Sequence, residues 1–100
     1  MKAKAEFLEH VGTRPVLCAD IFTDTYGGSE KEHHLRLNYS EADFAKFLES
    51  LSFDYDDGHG GQELYGIIWY RDGSWSERGE YDGSEWWEHK KLPEIPNCLK

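Results

Sequence analysis

Long hydrophobic runs are missing from this sequence. No stretch approaches the roughly 20 apolar residues that a membrane helix needs. The opening MKAKAEFLEH is charged throughout, where a secretory leader would be apolar. Cysteine is scarce. Cys18 and Cys98 are too few for a disulfide framework; Cys18 reads as a small core residue and Cys98 as a free thiol. These shortages point to a cytoplasmic protein with reduced thiols. Bases are scarce too, eleven Lys and Arg against twenty Asp and Glu, for a net charge of −9. Such a chain repels phosphate, which argues against nucleic acid or an anionic membrane as a direct partner and for a protein with a basic surface. The same charge also keeps a small protein soluble.

Aromatics are abundant, at 15% of 100 residues, too many for a disordered chain; the length suits one folded domain. Acid and aromatics coincide. Asp54 to Glu88 carries ten acids against Arg71 and Arg78, and from Phe53 the segment holds nine of the fifteen aromatics. Function is therefore sought there.

Local patterns predict the order α-β-β-α-β-β-β. Lys2 to His10 reads as a short helix stopped by Gly12. Val16 to Phe22 reads as an inner strand interrupted by Asp20, and Gly27-Gly28 as a long hairpin turn. His33 to Tyr39 alternates as a half-buried strand, with Leu35, Leu37 and Tyr39 on one side. Ser40 caps a helix whose Phe44, Phe47, Leu48 and Leu51 form a buried stripe. Asp72-Gly73 and Asp82-Gly83 split the remainder into a three-stranded meander, Glu63 to Tyr70, Ser74 to Tyr81 and Ser84 to Lys90, before an extended tail from Pro93. The expected fold is α+β, with a mainly antiparallel five-stranded sheet and the Ser40 helix packed on one face.

Turn length decides which meander residues share a face. Two-residue turns would set Glu77 opposite Glu88 and Glu80 opposite Glu85, each like-charge pair costing about 0.2–1 kcal/mol. Three-residue loops with glycine in the left-handed region remove both conflicts. That register gathers Tyr65, Ile67, Trp69, Trp75 and Trp87 on a dry face beneath the Ser40 helix and sets Arg78 opposite Trp86. It also turns Glu77 toward the dry side, where burial would raise its pKa and make it a site candidate, unless it reaches solvent at the sheet margin.

Two kinds of site compete. Asp54, Asp56, Asp57, His59 and Glu63 crowd one loop, and with Glu77 they form the candidate set for a small metal-dependent hydrolase. The spacing fails a calcium loop, because Gly58 falls where the fifth ligand belongs, and no second cluster supports a metal. The loop glycines make no phosphate cradle, since no helix follows and the flanks are acidic. No motif calls for a cofactor. The second kind is a docking surface on the outer side of the meander and its adjoining loop: Asp54, Asp56, Asp57, Glu80, Tyr81, Asp82, Glu85, Trp86 and Glu88. Aromatic anchors ringed by acid suit a basic protein partner. A DNA mimic, with carboxylates standing in for phosphates, is a further alternative.

The segment QELYGIIWYRDGSWSERGEYDGSEWWEHKKLPEIP resembles small acidic proteins of tailed phages and prophages, through Trp75, Arg78, the run Glu80 to Trp87, and Pro93, Ile95 and Pro96. The likeness covers the last third of the chain and implies no fold or catalytic residue. It implies a context, in which such proteins bind a host protein and inhibit or redirect it.

Overall fold

The computed structural model describes residues 2–23, 31–54, 63–81, 84–93 and 95–99. Its elements are α1 (Ala3–Val11), β1 (Val16–Thr23), β2 (Lys31–Leu35), α2 (Glu41–Ser50), β3 (Leu64–Tyr70), β4 (Trp75–Tyr81), β5 (Ser84–Lys90) and a closing 3-10 turn, Asn97–Leu99. The strands form one five-stranded antiparallel sheet in the order β2-β1-β3-β4-β5. The fold is α+β, as expected.

Both helices lie on one face of this sheet. The α2 N-terminus closes as a capping box: Ser40 Oγ accepts from the Asp43 amide (3.1 Å) and the Asp43 carboxylate accepts from the Ser40 amide (3.0 Å). Helix α1 has no side-chain cap. Its first amides, Ala3 and Lys4, donate instead to the Phe53 and Leu51 carbonyls (3.0 and 2.9 Å), so one helix ends where the other begins. Gly12 stops α1 at φ 57°, its amide donating to the Leu8 carbonyl. Phe7 meets Phe47 edge to face at 5.3 Å, joining the helices over a core of Val16, Ala19, Ile21, Leu35, Leu64, Ile68 and Tyr70.

The predicted strand from His33 to Tyr39 is displaced. It runs from Lys31 and stops at Leu35, because Asn38 adopts φ 62° and Leu37 is turned out to solvent. Tyr39 is held back toward the sheet by its hydroxyl, which donates to the Val16 carbonyl. The Gly27-Gly28 hairpin lies outside the described residues.

The two meander turns differ from each other. At the first, the Tyr70 amide donates to the Ser74 carbonyl and Gly73 sits at φ 90°, the expected three-residue loop. At the second, Tyr81 pairs with Ser84, which leaves two residues in the turn and sets Glu77 opposite Glu88 and Glu80 opposite Glu85. The anticipated repulsion is outweighed. Glu85 binds Arg78 and the amides of Glu63 and Leu64, while Glu77 accepts from Trp75 and Lys90. The buried charge-assisted bonds of Glu85 contribute about 1.5–3 kcal/mol each, more than the cost of a like-charge pair.

This one-residue difference exchanges Trp86 and Trp87 across the sheet. Trp87 is buried against α1, whereas Trp86 stands with Trp69 and Trp75 on the face away from both helices. The expected dry face beneath α2 is also corrected: both helices pack on the Leu64, Ile68 and Tyr70 side, so Tyr65, Ile67, Trp69 and Trp75 belong to the open side. Arg78 pairs with Trp87 rather than Trp86, its guanidinium 5.0 Å from the indole centroid.

Candidate functional site

Strand alternation places Asp20 and Phe22 of β1, Tyr65, Ile67 and Trp69 of β3, Trp75 and Glu77 of β4, and Trp86, Glu88 and Lys90 of β5 on the open face. No described helix covers them. Phe22, Trp69 and Trp86 remain 37%, 38% and 39% exposed, and Tyr65, Ile67 and Trp75 are half-buried. Phe22 and Tyr65 stack at 4.8 Å, and Trp69 sits directly opposite Trp75. A shallow depression of about 250 Å³ lies between Asp20, Phe22, Ile67 and Trp69.

Trp86 lies against Gly79 of the neighbouring strand. A Cβ built there would stand 2.8 Å from the indole Nε1 and 2.9 Å from Cε2, so the ring covers backbone that only glycine leaves open.

The carboxylates form a row between the aromatics. Asp20 pairs with Ile67, Ile67 with Glu77, and Glu77 with Glu88, one step per strand. On one side of the row stand Trp69 and Trp75; on the other stand Phe22, Tyr65 and Trp86. Asp20 meets His34 Nδ1 at 2.7 Å. Glu77 Oε1 accepts from the Trp75 indole at 2.9 Å, and Oε2 lies 3.2 Å from Lys90 Nζ. The indole N–H first, and then the ammonium, hold this carboxyl below the ordinary carboxylate range. The raised pKa expected for a buried Glu77 is therefore reversed, because the side chain reaches the open face.

The nine residues predicted as a binding surface are dispersed. Trp86 and Glu88 stand on the open face, and Tyr81 is exposed at the end of β4. Glu80 is exposed but belongs to the opposite, helix-bearing side of β4 by alternation. Asp54 lies beside α1, bridged to Lys2, away from the open face. Asp56, Asp57, Asp82 and His59 lie outside the described residues. Glu85 is corrected outright: it is 4% exposed and belongs to the covered face.

There, Arg78 Nη2 lies 2.7 Å from Glu85 and Nη1 lies 3.0 Å from Glu6, all three side chains nearly out of solvent. Glu85 also receives the Glu63 and Leu64 amides. Nearby, His10 Nε2 is hydrogen-bonded to Ser76 Oγ at 2.7 Å, and Ser76 to the Tyr70 hydroxyl. Ser76 has no exposed surface, so this hydroxyl–imidazole pair gives a substrate no approach. Among the described residues no three His, Cys, Asp or Glu side chains are disposed to hold a metal.

The sequence reading assigned Tyr65, Trp69 and Trp75 to the dry face and gave Phe22 and Asp20 no part in a site. One signal was available. Asp20 interrupts an otherwise apolar strand, and a carboxylate in that position marks a face that meets water.

Compared with known proteins, the chain matches no family model, no curated protein and no solved structure.

Proposed function

We propose that the protein is a non-catalytic docking module whose open sheet face binds a partner protein carrying a basic surface, and that it acts by inhibiting or redirecting that partner. One observation carries this reading: a sheet covered by helices on one side presents, on the other, six large apolar side chains threaded by a row of carboxylates. Exposed aromatics at a rigid sheet face are the anchors from which interfaces draw most of their energy. Carboxylates beside them, on a chain of net charge −9, steer a basic surface into place. The likeness of the last third to tailed-phage proteins favours a host protein, met in the host cytoplasm, as the partner.

The test is capture from host lysate by the immobilised chain, followed by direct titration of the captured protein. The wild type retains one basic protein, and the retention falls steeply with added salt. Trp69→Ser combined with Trp86→Ser abolishes retention with the melting temperature unchanged. Equal retention by this double variant overturns the assignment of the surface.

A further inference from the structure

We propose that the open face recognises arginine, presented by an extended segment of the partner laid across the strands, with one guanidinium seated on Trp86 between Glu77 and Glu88. This rests on the docking reading above and names its chemistry.

The protein contains its own precedent. On the covered face, Arg78 stacks over the Trp87 indole at 5.0 Å while two carboxylates, Glu6 and Glu85, hold its guanidinium nitrogens at 3.0 and 2.7 Å. One residue along β5, the open face assembles the same kinds of group: the indole of Trp86 and the facing carboxylates of Glu77 and Glu88. Strands β3, β4 and β5 place no arginine on that side; Arg78 is their only one, and it points the other way. The only cation these strands set on that side is Lys90, which pairs with Glu77, so a guanidinium has to be supplied from outside them.

Three features of the face suit a guanidinium. Trp86 packs over the bare backbone of Gly79 and keeps 39% of its surface exposed, which leaves indole area for a cation. Glu77 and Glu88 stand directly opposite each other, a like-charge pair that an added cation relieves. Lys90 reaches Glu77 at 3.2 Å, but it is exposed, and no described ion pair joins it to Glu88. A planar guanidinium stacks on the indole and donates to two carboxylates at once, whereas an ammonium is a compact, strongly hydrated charge. The geometry therefore favours arginine over lysine.

Orientation follows from the same register. The carboxylate row runs across the strands, whose spacing is about 4.8 Å, and the aromatic rows flank it about 6.8 Å away along each strand. A segment following the row sets its cations over acid and its remaining side chains against Trp69 and Trp75 on one flank or Phe22 and Tyr65 on the other.

The experiment is fluorescence anisotropy with a labelled peptide of alternating arginine and serine, its lysine counterpart, and an alternating glutamate–serine control. We expect the arginine peptide to bind at least about five-fold more tightly than the lysine peptide, the ratio that about 1 kcal/mol of stacking and bidentate pairing supplies. Trp86→Ala and Glu88→Gln each weaken the arginine peptide by a similar factor with unchanged melting temperature, while Glu80→Gln on the other face does not. Equal binding of the two cationic peptides, or arginine binding indifferent to Trp86→Ala, overturns the proposal. If neither peptide binds while the Trp69/Trp86 variant still loses the captured partner, arginine recognition falls and the docking surface stands. If both the peptides and the partner are indifferent to the open-face variants, both readings fall.

Discussion

Arg78 Nη2 stands 2.7 Å from Glu85 Oε1, and neither side chain has more than a trace of exposed surface. The pair links β4 to β5 beneath α1, and Glu85 extends the link to β3 through the Glu63 and Leu64 amides. Removing Glu85 takes one of two carboxylates from the buried guanidinium and the shared acceptor from the Glu63 and Leu64 amides. We expect Glu85→Ala to cost about 3–5 kcal/mol, measured by urea unfolding, while Glu88→Gln on the open face stays within about 0.5 kcal/mol. Equal, small effects would show that the buried carboxylate is not a structural linchpin.

Gly79→Ala places a methyl where Trp86 now rests. The indole must lift, since nothing else at that contact is free to move. The expected result is a shifted indole N–H resonance for Trp86 and loss of arginine-peptide binding, with the sheet retained. An unmoved resonance would contradict the packing.

Ser40 carries the reciprocal cap of α2. Ser40→Ala removes one amide's acceptor and is expected to destabilise the fold by about 0.5–2 kcal/mol in thermal or chemical unfolding. Ser84→Ala, on an exposed site, serves as the reference.

Acid should weaken the fold in two stages. His10 and His33 both have pKa values below the ordinary 6.5, chiefly through burial, aided at His10 by Arg14, His89 and Arg78 and at His33 by Lys31 and His34. Below pH 6.5 the unfolded chain takes up protons that these folded histidines refuse, so stability falls until pH drops beneath their folded values. Asp43, Asp72 and Glu77 are depressed from 3.8, 3.8 and 4.5, and their contributions are lost only as pH falls further. The carboxyls of Asp43 and Asp72 are held down by Ser40 and Ser74, respectively. Melting temperatures from about pH 8 to about pH 2 should show both stages. The combined His10→Gln and His33→Gln variant should flatten the first stage and leave the second.

How far the sequence could be read depended on the range of the forces involved. The α2 helix was legible because its cap and its apolar stripe are local: Ser40 and Asp43 are three residues apart, and Phe47 and Leu51 four. The Gly73 loop was legible for the same reason. The Asp82-Gly83 turn was not, although its dipeptide is identical. Its length is decided by Arg78, Glu6 and Glu85, which meet across 72 and 7 positions of chain. A local comparison of charges saw only the repulsion between facing acids and could not weigh the buried guanidinium that draws Glu85 inward.

By itself, then, the sequence determined an acidic α+β chain with its strand order along the chain, its central helix and an aromatic-rich meander, because propensity, capping and alternation act over a few residues. Only the tertiary structure decided which side of the meander faces water. A strand's two faces differ by a single step of register, and that step is set by long-range pairing: Glu85 enters the core with Trp87, and Trp86 is turned out beside Trp69 and Trp75.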